Sequence, residues 1–187
     1  MRTSKPTVLA IAAAFVLGGL VAAAAVGWSR RAPSGRDAVH PVWTEVAWPF
    51  LLDQWGRGKA WRCSATDCGA EVNVYVRAKI GFCNCSTGVS DDIELDRISD
   101  FELFANPMTP LAPGREISVA WMKGRSRPFA IAGAGHSALS VGFNDKCDAV
   151  VATALVDRDK PVAFEQTVIA FLNSRPVMRW AEVALGL

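Results

Sequence analysis

Five cysteines are the residues of this chain best suited to chemistry: Cys63, Cys68, Cys83, Cys85 and Cys147. Thiols at this density pair as disulfides in an oxidising compartment, bind a soft metal when reduced, or stay as redox-active or buried thiols. Cys63 and Cys68 flank a short turn-like stretch, where neighbours across a hairpin lie within disulfide reach. Cys83 and Cys85 are one residue apart, which in extended chain puts their Cα atoms near the upper limit for a bridge with poorly directed Cβ vectors. Each therefore looks elsewhere, and Cys147 is the natural partner for one of them. One of the five stays unpaired in any such scheme, and the connectivity is open at this level. The alternative is a metal site in which Cys63, Cys68, Cys83 and Cys85 supply four thiolates, suitable for zinc or, with Met108 or Met122 nearby, for Cu(I). The CxC spacing is tighter than the usual zinc pair.

Other side chains offer less. The two histidines are His40, in a polar linker, and His136, in Gly133-Ala134-Gly135-His136-Ser137. A nucleophile at Ser137 needs a base in hydrogen-bond reach, and adjacency in sequence supplies no such geometry, so this stretch reads as a loop. The acidic run Asp91, Asp92, Glu94, Asp96, Asp100 and Glu102 lacks the alternating ligands and mid-loop glycine of an EF-hand and reads as a solvated helix face. Lys123, Arg125 and Arg127 read as a basic turn able to touch anionic lipid. Trp43, Trp48, Trp55 and Trp61 fall within 19 residues, as aromatic anchors of a loop or as a stacking platform for a ring-bearing ligand. No phosphate loop, GxSxG elbow or HExxH pair occurs, so catalytic residues and a cofactor are not implied.

The elements that would position these groups follow from periodicity. Glu71 to Phe82 alternates Val72, Val74, Val76, Ala78 and Ile80 with polar residues, the pattern of a strand with one buried face. Gly58 to Ala65 is its expected hairpin partner. Asp91 and Glu94 have capping-box spacing for a short helix running to Ile98. Glu116 to Met122 and Pro128 to Ala132 bracket Lys123 to Arg127, suggesting a second hairpin turn there. Leu139, Val141 and Phe143 alternate on another strand, and Ala149 to Val156 is apolar on both faces, as a central strand would be. From Pro161 the spacing becomes helical, with Phe164, Val168, Phe171 and Leu172 as one stripe and Val177, Trp180, Val183 and Leu185 as another, Pro176 separating two helices. The expected class is α+β: an N-terminal transmembrane or signal helix, then a mainly antiparallel sheet with helices on one face and two helices at the C-terminus.

Residues Thr7 to Trp28 carry no charge, are long enough to cross a hydrocarbon core, and are flanked by Arg2, Lys5, Arg30 and Arg31. Residues 1–28 read as a membrane anchor or, given Ala23-Ala24-Ala25, as a cleaved signal segment. Residues 29–42 form a linker, and 43–187 one α+β domain. The first 36 residues hold five of the 20 Lys and Arg and none of the 18 Asp and Glu, leaving the remainder at −3. That balance argues against a nucleic-acid partner. Charge is even on both sides of the apolar segment, so placement outside the cytoplasm rests on the cysteines.

An N-terminal apolar segment followed by a small β-rich domain with a CxC resembles the layout of the copper-delivery proteins of cytochrome oxidase assembly. That family's motif has aromatics after both cysteines, and Lys79-Ile80-Gly81-Phe82-Cys83-Asn84-Cys85-Ser86-Thr87-Gly88 does not. The same stretch, with Trp48-Pro49-Phe50, Phe171-Leu172-Asn173-Ser174 and Arg179-Trp180-Ala181-Glu182, resembles uncharacterised exported or membrane-anchored bacterial proteins, a resemblance that brings no activity with it. The reading is a membrane-associated extracytoplasmic binding or assembly domain stabilised by disulfides, in the periplasm or cell exterior. Handling of copper or zinc by the cysteine cluster is the alternative.

Overall fold

A computed structural model describes residues 41–104, 106–133, 135–157 and 161–187. The apolar segment 7–28, the linker through residue 40 and His40 lie outside the described residues. No described helix is long and apolar enough to cross a membrane.

The described chain is built on one antiparallel sheet of eight strands: β1 (Trp43–Val46), β2 (Lys59–Cys63), β3 (Val72–Lys79), β4 (Met108–Pro110), β5 (Arg115–Val119), β6 (Met122–Ile131), β7 (Ser137–Asp145) and β8 (Asp148–Val156). The spatial order is β1-β2-β3-β8-β7-β6-β4, with β5 also paired to β6. β4 and β5 share the outer edge of β6, opposite Phe129–Ile131 and Met122–Ser126 respectively. Pro128, which has no N–H to offer, falls at the gap between them.

Among the described residues, four α-helices accompany the sheet. α1 (Ala65–Cys68) is a single turn joining β2 to β3, α2 is Asp92–Ile98, α3 is Glu165–Leu172 and α4 is Arg175–Leu185. The side chain of Asp91 accepts a hydrogen bond from the Glu94 N–H at the start of α2, as the capping spacing suggests. Pro176 lies in the first turn of α4, where its missing N–H costs nothing, so the two C-terminal helices separate there.

Register divides the sheet into two unlike faces. Trp61, Val72, Val74, Val76, Leu139, Val141, Phe143, Val150, Ala152 and Ala154 point to one side, packed with Val168, Phe171 and Leu172 of α3 and Val177 and Ala181 of α4. Burying a large aliphatic side chain of this kind is worth about 1.5–3 kcal/mol. One carboxylate enters this layer: Glu165 is buried and is answered by the Ser126 hydroxyl and by Arg115. Val183, expected in the α4 stripe, is instead 78% exposed.

The other side carries Arg77 and Lys79 of β3 and Arg125 and Arg127 of β6, and α2 lies over it. α2 approaches so closely that a Cβ on Gly142 of β7 would meet Leu95 at 2.9 Å and Ile98 at 3.0 Å. The sheet therefore has helical cover on both faces. The acidic run is not a solvated face. Asp92 binds Arg125, Asp96 accepts from Arg127 at 2.6 Å, and Asp100 accepts from Arg77 at 3.0 Å and lies 2.7 Å from the Lys79 ammonium. Asp92 and Asp96, four apart, share the face of α2 turned to the sheet, and Asp100 follows just past the end of that helix.

The second hairpin also differs from the expectation. Its turn is Ala120-Trp121, with Ala120 at φ 51°, and β6 runs straight through Lys123 to Arg127. Lys123, Arg125 and Arg127 alternate with Gly124 and Ser126, which is strand periodicity in polar residues rather than a turn.

Candidate functional site

Two disulfides fix the cysteine geometry. Cys63–Cys68 closes the β2–β3 connection across α1, with Cα atoms 5.9 Å apart. Cys85–Cys147 joins the loop after β3 to the β7–β8 turn, 62 residues on. Cys83 is the free cysteine, and it is buried. With Cys63 bonded to Cys68 and Cys85 to Cys147, the set Cys63, Cys68, Cys83 and Cys85 does not exist as four thiolates, which corrects the metal alternative. Among the described residues, no group of three or more His, Cys, Asp and Glu is arranged to hold a metal ion. Met122 is buried in the apolar core, away from that role.

The loop bearing Cys83 and Cys85 is held from three sides. The chain turns out of β3 at Gly81, whose N–H donates to the Asp148 carboxylate at 2.6 Å. Arg97 of α2 donates to the Phe82 carbonyl at 2.5 Å, and its guanidinium lies 4.6 Å from the centre of the Phe82 ring. The Asn84 N–H donates to Glu94, while the Asn84 side chain accepts from the Ser86 N–H. Burial first, then the negative charges of Glu94 and Asp148, push the Cys83 thiol up to about 11. At neutral pH it is a protonated, weak nucleophile.

Beyond this loop the charged face opens into a cleft of about 450 Å³. One wall is Thr87, Val89 and Ser90 of the loop. The floor is Glu116 and Ser118 of β5 with Lys123 of β6, Ser118 and Lys123 being cross-strand partners. Asn144 of β7 ties floor to wall, because its side chain accepts from the Val89 N–H at 3.0 Å and donates to the Lys146 carbonyl at 2.8 Å. The volume falls within the range of small-molecule pockets. The lining sets one carboxylate and one ammonium among hydroxyl and amide groups, a pattern suited to a small polar ligand carrying both signs of charge.

No protein-family model, curated protein or solved structure matches this chain.

The remaining candidates disperse. The imidazole of His136 lies 3.2 Å from Asp157 with both side chains more than half exposed. That pair sits at the open end of the β7–β8 hairpin, opposite the turn that carries Cys147. Ser137 is buried at the start of β7. Trp43 stacks on Phe171 with centroids 4.1 Å apart, and Trp61 meets the same ring edge-on. Trp48 joins Phe50 and Tyr75, while Trp55 packs on Phe82 beside the Lys79 ammonium. These rings are spent on one another. The buried Trp48 indole N–H has no hydrogen-bond partner.

Residue type alone does not single out Glu116, Ser118 and Asn144, and the sequence pattern puts Lys123 in a turn. Their convergence follows only from placing the hairpin turn at Ala120-Trp121, which makes Lys123 a residue of β6 opposite Ser118.

Proposed function

We propose that this chain is a binding domain that works outside the cytoplasm, held at a membrane through residues 7–28, and that its ligand occupies the cleft between the 87–90 loop and β5–β6. The two disulfides support an oxidising compartment, since the Cys85 side of the second bridge lies in exposed chain that cytosolic thiols would reduce. The observation that carries the reading is that Glu116 and Lys123 line one cleft together with Ser90, Ser118 and Asn144. Lys123 would take a carboxylate, Glu116 an ammonium, and the neutral groups the remaining polar atoms. A free amino acid or a short peptide has this chemistry.

The test is thermal denaturation of the full chain with pooled free amino acids and, separately, pooled dipeptides at millimolar concentration. A ligand at a hundred times its Kd stabilises by about 2.7 kcal/mol, which raises Tm by several degrees. Lys123→Ala and Glu116→Ala are each expected to weaken the response about tenfold or more, the worth of one charge-assisted hydrogen bond. Pools that leave Tm unmoved, or a response indifferent to both substitutions, would sink the reading.

A further inference from the structure

Cys83 adjoins the Cys85–Cys147 bridge where the loop after β3 reaches the β7–β8 turn. The Cys83 N–H donates to the Cys147 carbonyl at 3.1 Å, and the Cys83 thiol donates to the neighbouring Lys146 carbonyl at 3.3 Å. Cys83 thus lies beside one half of a disulfide to which it does not belong. The backbone hydrogen bond sets the Cys83 backbone directly against the backbone of Cys147, and a disulfide spans Cα atoms about 4.4–6.8 Å apart. Cys147 therefore has two cysteines within reach, Cys83 in the interior and Cys85 in exposed chain.

We propose that Cys83, Cys85 and Cys147 form a thiol–disulfide exchange site in which the bridge moves between Cys85–Cys147 and Cys83–Cys147. The Cys83 thiolate attacks the Cys147 sulfur, the Cys83–Cys147 bond forms and the Cys85–Cys147 bond breaks. Cys85 leaves with the electron pair and takes up the proton that Cys83 gave. One thiol and one disulfide stand on each side, so no oxidant or reductant is consumed. The step carries the free thiol from 6% exposure at Cys83 to the exposed loop at Cys85.

The charges around the attacking sulfur set the pace. Glu94 and Asp148 oppose its ionisation, Arg97 favours it, and burial dominates. Thiolate is a fraction of about one in ten thousand at pH 7 and rises tenfold per pH unit to near pH 11. The exchange is slow at neutral pH and quickens in alkali.

A consequence for the cleft follows, and it rests on the binding role proposed above. Residues 84–88 lead directly into the cleft wall, and Gly88 presses so tightly on Asn144 that a Cβ there would lie 2.3 Å from the amide oxygen. Moving the bridge from Cys85 to Cys83 removes the covalent tie nearest that wall.

Two measurements on the full chain decide the matter. In the first, native oxidised protein is held with N-ethylmaleimide at several alkaline and neutral pH values, then digested, and fragmentation on either side of Asn84 assigns the label. Label should accumulate on Cys85 tenfold faster per pH unit and vanish in Cys83→Ser. Label on Cys83 alone, or on neither cysteine, would overturn the exchange. In the second, Cys85→Ser should form the Cys83–Cys147 bridge and lose at least fivefold of the response to the ligand pools. Failure to form that bridge would overturn the exchange. A formed bridge with an undiminished response would overturn the coupling to the cleft and leave the exchange standing, and a wild-type chain unresponsive to the pools would remove the binding role alone.

Discussion

Along β3, Val72, Val74 and Val76 meet the C-terminal helices, while Arg77 and Lys79, further along the strand, meet Asp100 in the chain just after α2 on the opposite side. The first contact is made by area and tolerates exchange among apolar shapes. The second is made by geometry, with Arg77 and Lys79 only 1% and 2% exposed and Asp100 shared between them. A buried ion cluster of this kind adds little net stability, because desolvation offsets most of the attraction. What it adds is register: a one-residue slip of β3 would place both cations under α3 and α4, where the buried carboxylate of Glu165 is already held by Ser126 and Arg115.

That contrast can be broken at its strongest point. Asp100→Asn leaves the two buried cations with Asp53, 2.5 Å from Arg77, and the exposed Glu102, 3.8 Å from it, and is expected to cost about 3–5 kcal/mol in denaturant unfolding. The triple change Arg77→Met, Lys79→Met, Asp100→Leu should instead stay within about 1 kcal/mol of wild type. Equal losses in the two proteins would contradict the ion-cluster account. On the apolar face, Leu172→Ala should cost about 2–4 kcal/mol through lost transfer energy and a residual cavity, with the same value at low and high salt. A strong salt dependence there would erase the distinction between faces.

The smallest expected effect is acid sensitivity. Burial would raise Asp53 and Asp92, yet Arg77 and the Trp55 N–H hold Asp53, and the Gly114 N–H and Arg125 hold Asp92, below the usual carboxylate range. A carboxylate depressed in the folded state contributes stability above its unfolded value, near pH 3.8, and loses it as pH falls through the folded value. Tm should therefore decline below about pH 4, and Asp92→Asn should flatten that decline. An unchanged slope would assign the acid response to other groups.

The apolar face was legible because its pattern is local. Alternation marked β3 and β7, an unbroken apolar run marked β8, and helical spacing with Pro176 marked α3 and α4, since each signal lies within a dozen residues. The charged face was not legible, because each partner is far away in sequence: Arg77 answers Asp100, and Arg125 answers Asp92, 33 residues before it. Taken singly, Asp92 and Asp96 look solvated and Lys123 to Arg127 looks like a turn. Only pairing makes them a surface. The cysteines fell between these cases. The Cys63–Cys68 closure could be inferred from its hairpin, and Cys147 was expected to take one CxC thiol. The choice of Cys85 depended on the turn at Gly81, which ends the alternation before the CxC begins.

The lengths of the strands at the two margins of the sheet have a bearing on its behaviour in company. β3, β6, β7 and β8 are eight, ten, nine and nine residues long, whereas the marginal β1, β4 and β5 have four, three and five. One margin is split where Pro128 interrupts the donors, and Arg115 and Glu116 place charge on the longer fragment. Long, flat, unpaired margins recruit strands from other molecules and seed fibrils. By ending in short and broken strands, this sheet presents no template of useful length, and its apolar interior stays closed to self-association.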